Sequence, residues 1–151
     1  MEVNEYTYRM KPLILPGLGF IILYPLLAGS ASYFLSLARE YLILLSAIYV
    51  IAVFIIFLVW IVAKSQRILI NKDQIIFRSL WGRKIIEPQE IKKASFMWTK
   101  NNDEIVFIKT GKKTFCLSNL YFPFNELLTD LEELIITHNI RSNLASHYGL
   151  N

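Results

Sequence analysis

The residues of this chain that could carry acid–base, nucleophilic or metal chemistry are few and scattered. His138 and His147 are its two histidines and Cys116 its one cysteine. None stands at the Cys, His or carboxylate spacing of a zinc site. Cys116 falls in a short alternating apolar stretch, where a free cysteine serves as a small buried hydrophobe. Asp103-Glu104 follow a turn, and Glu126, Asp130 and Glu133 mark the polar side of a helical pattern, so these carboxylates are expected in solvent. Gly17 and Gly19 lie in an apolar run and Gly111 in a hairpin turn, which leaves no glycine-rich phosphate loop. No catalytic residue, metal ligand or cofactor is expected, and the chain reads as a non-enzyme.

Composition points to a membrane instead. Of 151 residues, 54% are hydrophobic and 19% charged, against roughly 45–50% and 25% in soluble domains. Between Leu13 and Ala63 the charged residues are the adjacent pair Arg39 and Glu40. They separate uncharged runs at 13–38 and 41–63, each longer than the roughly 20 residues that cross hydrocarbon as a helix. The spacing predicts an antiparallel transmembrane hairpin with its turn at Arg39-Glu40. A cleaved signal peptide would need processing near Ala28-Gly29-Ser30-Ala31, but the apolar run continues past those residues. Arg9 and Lys11 precede the first run and Lys64 and Arg67 follow the second, so both termini are expected in the cytoplasm. The lone cysteine fits a reducing compartment. Ala28, Ser32 and Ser36 recur every four residues as a small-residue packing face, against Ser46, Ala47 or Ala52 of the second run or in a homodimer. The runs hold no Asp, Glu, Lys, Arg or His, which argues against a transporter or channel acting alone.

Beyond Arg67 the pattern becomes that of an antiparallel sheet. Strands are expected at Arg67–Ile70, Gln74–Ser79, Arg83–Glu87, Lys92–Thr99, Glu104–Thr110 and Lys113–Ser118, with a short seventh near Leu120–Phe122. Ala94, Phe96 and Trp98 are expected to share the core face of the fourth. After Pro123, Phe124, Leu127, Leu128, Leu131, Leu134 and Ile135 recur at helical spacing and predict one amphipathic helix. The organisation expected is a cytoplasmic lead-in at 1–12, the hairpin at 13–63, a domain at 64–139, and a weakly patterned tail at 140–151.

The stretch Ile68–Ile136 resembles the bacterial pleckstrin-homology-like domains that follow two transmembrane helices, the YcxB-like group among them. The similar features are the basic turn Leu80-Trp81-Gly82-Arg83-Lys84, the segment Ile86-Glu87-Pro88-Gln89-Glu90-Ile91, and Phe124-Asn125-Glu126-Leu127-Leu128 opening the helix. The resemblance implies a membrane protein with an α-helical transmembrane hairpin followed by an α+β PH-like domain. That domain would be an antiparallel β-sandwich or barrel of 6–7 strands capped by one C-terminal helix. It also implies a bacterial source and a non-catalytic binding or scaffold role. Small proteins of similar layout add one alternative, immunity against a pore-forming peptide (a bacteriocin), and the small-residue face of the first run adds another, an accessory subunit of a membrane transporter. The Lys-then-Arg-x-Arg pattern of eukaryotic PH domains does not appear in the first hairpin, where Lys72 and Arg78 stand alone.

Residues 64–113 hold twelve Lys or Arg against five Asp or Glu, whereas 114–151 hold one Arg against four acids. A meander starting beneath the membrane would bring Lys64, Arg67, Arg78, Trp81, Arg83 and Lys84 near anionic lipid headgroups. Lys72, Lys92, Lys93, Lys112 and Lys113 would gather at the far end, where an acidic membrane or peripheral protein is the expected partner. Nucleic acid is not expected, because no DNA- or RNA-binding module is recognisable.

Overall fold

The computed structural model describes residues 4–149. It divides into two compact units: one holds the chain up to Arg9 and from Ser65 onward, the other Met10–Lys64.

The second unit is helical. Helices α1 (Lys11–Leu35) and α2 (Arg39–Ser65) are each long and apolar enough to cross a membrane. The turn lies earlier than Arg39-Glu40. Ser36 takes the left-handed conformation at the end of α1, and Arg39 already opens α2. Glu40 then sits in the first turn of α2, where the helix dipole favours a carboxylate. The helices are cross-linked by side chains reaching opposite backbones. Tyr24 donates to the carbonyl of Leu45 (3.1 Å), Tyr49 to that of Ile21 (2.9 Å), and the indole N–H of Trp60 to that of Leu13 (3.1 Å). Gly17 lies buried against Trp60, and a Cβ there would come within 2.6 Å of the indole ring.

The first unit holds two antiparallel sheets around one core. The larger has the order β4-β3-β2-β1-β8, built from β1 (Asn4–Tyr8), β2 (Arg67–Asn71), β3 (Gln74–Ser79), β4 (Gly82–Ile86) and β8 (Tyr121–Phe122). The smaller has the order β5-β6-β7, from β5 (Ile91–Trp98), β6 (Glu104–Thr110) and β7 (Thr114–Ser118). A 3₁₀ turn at Pro88–Glu90 joins β4 to β5, and Asn119-Leu120 joins β7 to β8, so the chain meanders from one sheet into the other and back. Strands β2 to β8 agree with the expected ones to within two residues at each end.

Strand β1 is the main departure from the expected organisation, in which its residues belong to the 1–12 lead-in. Asn4, Glu5, Tyr6 and Thr7 pair antiparallel with Ile70, Leu69, Ile68 and Arg67, while Thr7 and Tyr8 pair with Phe122 and Tyr121. Tyr6 is among the most deeply buried residues of the core. The helical hairpin is therefore an insertion between β1 and β2, two neighbouring strands of one sheet.

Helix α3 (Phe124–Thr137) buries Leu127, Leu128, Leu131, Leu134 and Ile135 in the core beside Ile68, Ile75, Phe96 and Val106. Burial of each such side chain stabilises the unit by about 1.5–3 kcal/mol. The segment from 140 onward is more ordered than its weak periodicity suggested. Ala94 donates to the carbonyl of Arg141, and the Asn143 amide binds both the N–H and the carbonyl of Phe96, which covers the outer edge of β5. Helix α4 (Leu144–His147) follows, with Ile140 and Leu144 packed on the core. Ala94 and Phe96 are buried as expected, but Trp98 is 53% exposed and stacks on the His147 ring with centroids 4.9 Å apart.

Candidate binding surface

Register decides which basic side chains share a face, because residues directly opposite on neighbouring strands point the same way. Arg67 of β2 pairs with Arg78 of β3, and Arg78 with Arg83 of β4. The three arginines form one row across the outer face of the larger sheet. Two residues further along each strand, Leu69, Ile76 and Ile85 form a parallel apolar row. A shallow groove of about 420 Å³ runs between the rows and the β3–β4 turn, lined by Leu69, Ile76, Arg78, Leu80 and Arg83 among others. Leu80 and Trp81 in that turn are 54% and 86% exposed. Glu5 of β1 makes an ion pair with Arg67. Among the described residues no carboxylate lies within ion-pair distance of Arg78 or Arg83.

Lys84 stands apart from this row. Its register partner is Phe77, on the inner face, and its ammonium lies 4.7 Å from the centre of the Phe115 ring. Phe115 in turn stacks on Phe77. Lys84 lines a groove at the β4–β5 corner with Gln89, Glu90, Lys92 and Lys112, so it joins the lysines expected at the far end. Lys113 is in the same β6–β7 turn as Lys112, and Lys93 pairs with Lys109 on the outer face of the smaller sheet. Lys72 is elsewhere, in the β2–β3 turn, lining a groove with Asp130 and Glu133 of α3. Lys64 occupies the last turn of α2.

Both histidines, Glu104 and Asp130 join the C-terminal elements to the strands and their turns. His138 donates through Nε2 to the carbonyl of Lys72 (2.8 Å). His147 Nε2 lies 2.8 Å from a Glu104 carboxylate oxygen, and both side chains are nearly buried. The Tyr148 hydroxyl meets carboxylate oxygens of Glu104 and Glu132, each at 2.8 Å. Burial, reinforced by those two carboxylates, raises the Tyr148 pKa well above that of an ordinary phenol. Asp130 accepts from Tyr6 and Asn4, so it holds β1 to α3. Burial and then Asp130 likewise raise the Tyr6 pKa. Cys116, expected in the core, is exposed on the outer face of β7 opposite Phe107, with its thiol pKa raised by partial burial. Among the described residues no group of three His, Cys, Asp or Glu side chains is placed to hold a metal ion.

In the helical unit Ala28 and Ser32 line a groove of about 290 Å³ beside Ser46 and Tyr49, while Ser32 back-bonds to the carbonyl of Ala28. Ser36 leaves this face, because it forms the turn. Ala52 is partly buried and Ala47 is exposed.

Comparison with protein-family models, with curated proteins and with solved structures finds no match to this chain.

Proposed function

We propose that this chain is a non-catalytic, membrane-anchored binding or scaffold protein that holds a PH-like domain at the cytoplasmic face of a bacterial membrane. The observation that carries this reading is the pairing of β1 with β2 across the inserted hairpin. Two strands bonded residue by residue must lie on the same side of any bilayer that α1 and α2 cross. Basic residues flank the hairpin at Arg9, Lys11, Lys64 and Arg67, whereas Arg39 at its turn is accompanied by Glu40, and this bias supports the cytoplasmic side. The two antiparallel sheets followed by α3 support the PH-like layout.

The groove shared by Lys84, Lys92 and Lys112 is the surface offered to an acidic protein. In-cell photocrosslinking with a probe in place of Lys112 in the intact chain tests this. A discrete protein adduct, lost when Lys84 and Lys92 are changed to Glu, is the expected result. No adduct at Lys112 in cells that express and retain the protein overturns the adaptor role.

A further inference from the structure

We infer that the outer face of the larger sheet docks on anionic lipid headgroups, with Arg67, Arg78 and Arg83 binding phosphate and Leu80 and Trp81 entering the interfacial layer. This rests on the reading of α1 and α2 as membrane spans.

Three observations lead to it. First, like charges directly opposite one another destabilise a sheet. This sheet sets three guanidinium groups side by side and supplies one carboxylate, Glu5, at the Arg67 end. Arg78 and Arg83 are left to a ligand of negative charge, and a planar guanidinium matches phosphate with two parallel hydrogen bonds. Second, the cationic row has apolar neighbours on both sides: the row Leu69, Ile76 and Ile85, and the exposed Leu80 and Trp81 of the turn. Phosphate contacts beside an apolar strip and a tryptophan match a bilayer interface, where indole rings prefer to sit. Third, the chain itself limits the distance. The apolar run of α2 ends at Ala63, and Arg67 is four residues later, at most roughly 14 Å away even if fully extended. The alternation of the strand excludes Lys84, whose ammonium lies over Phe115 on the other face.

The test uses the full chain in lipid nanodiscs, with Cys116→Ser and Leu80→Cys, and an environment-sensitive fluorophore on the new thiol. In discs containing phosphatidylglycerol the fluorophore should shift to the blue and be quenched by spin-labelled lipid. In discs of phosphatidylcholine alone it should do neither, and added salt should reverse the effect. Changing Arg78 and Arg83 together to Gln should lower the docked-to-undocked ratio about thirtyfold, which corresponds to about 1 kcal/mol per basic residue at an anionic surface. Lys84→Gln should leave it unchanged. A fluorophore that ignores lipid charge or the double arginine change, in a chain retained by the discs, overturns the docking alone. A chain that does not stay with the discs overturns the anchored reading itself. A protein adduct in place of lipid, from a photoreactive probe at Trp81 in cells, also overturns the docking.

Discussion

The hydroxyl of Tyr49 donates to the carbonyl of Ile21, the oxygen that Pro25, four residues on, leaves without its helical N–H donor. Proline inside an apolar helix normally exposes such a carbonyl, and in hydrocarbon no water can replace the lost donor. Here α2 supplies one. The same ring stacks on Tyr24, whose hydroxyl makes the reverse connection to Leu45, so Pro25 marks one point where the two helices are fastened.

Tyr49→Phe should therefore destabilise the hairpin by about 1–2 kcal/mol, near the upper range for hydrogen bonds between membrane helices. The cost should largely vanish in a Pro25→Ala background, because alanine returns the helical N–H to Ile21. A double-mutant cycle followed by unfolding in SDS checks this. Equal costs in both backgrounds would mean that Pro25 does not set the role of Tyr49.

The inserted hairpin makes a sharper prediction about the first unit. Residues 65–151 expressed alone lack β1, and with it the strand between β2 and β8 and the buried Tyr6. That fragment should be unfolded or aggregated, since both neighbours would present open edges. The Tyr8 N–H reaches the carbonyl of Gln66, so the two strand ends are adjacent. Replacing residues 10–64 with an Asn-Gly turn should join them as an ordinary hairpin and give a soluble, folded domain. Dispersed amide signals in an NMR spectrum of the joined chain, and their absence from the fragment, are the expected outcome.

Tyr6 also gives the first unit an alkaline limit. Its phenol pKa is raised by burial and by Asp130 above the ordinary 10.0. The folded state then keeps a proton that the unfolded chain releases. Stability from this group is complete below about pH 10 and declines as pH rises towards the folded pKa. Tyr6→Phe should lower stability at neutral pH, through loss of the bond to Asp130, yet give a flatter dependence above pH 10. Thermal melts of the joined chain between pH 8 and 11 check the two slopes, and parallel curves would assign the alkaline loss to other groups, with Tyr148 the first to examine.

Much of this architecture follows from local pattern. Uncharged runs longer than a bilayer-spanning helix specify α1 and α2, two-residue alternation specifies β2 to β7, and the leucine spacing after Pro123 specifies α3. These signals are legible because each records how a short segment meets its surroundings. Strand β1 is different. Its Tyr6 and Tyr8 alternate with polar residues, but five residues before an apolar run are too few to distinguish a strand from a lead-in. Its partner Ile68 lies 62 positions further along the chain. The arginine row was half legible: the basic residues were visible, but the sequence reading grouped them by the end of the domain they would occupy rather than by the face they would share. Strand alternation sends Arg83 outward and Lys84 inward, and pairing between strands then aligns Arg83 with Arg67 and Arg78. Composition and periodicity determine which elements form, because they act within a few residues. Only tertiary pairing decides which side chains meet, because a hydrogen-bonded register joins segments with no local relation to one another.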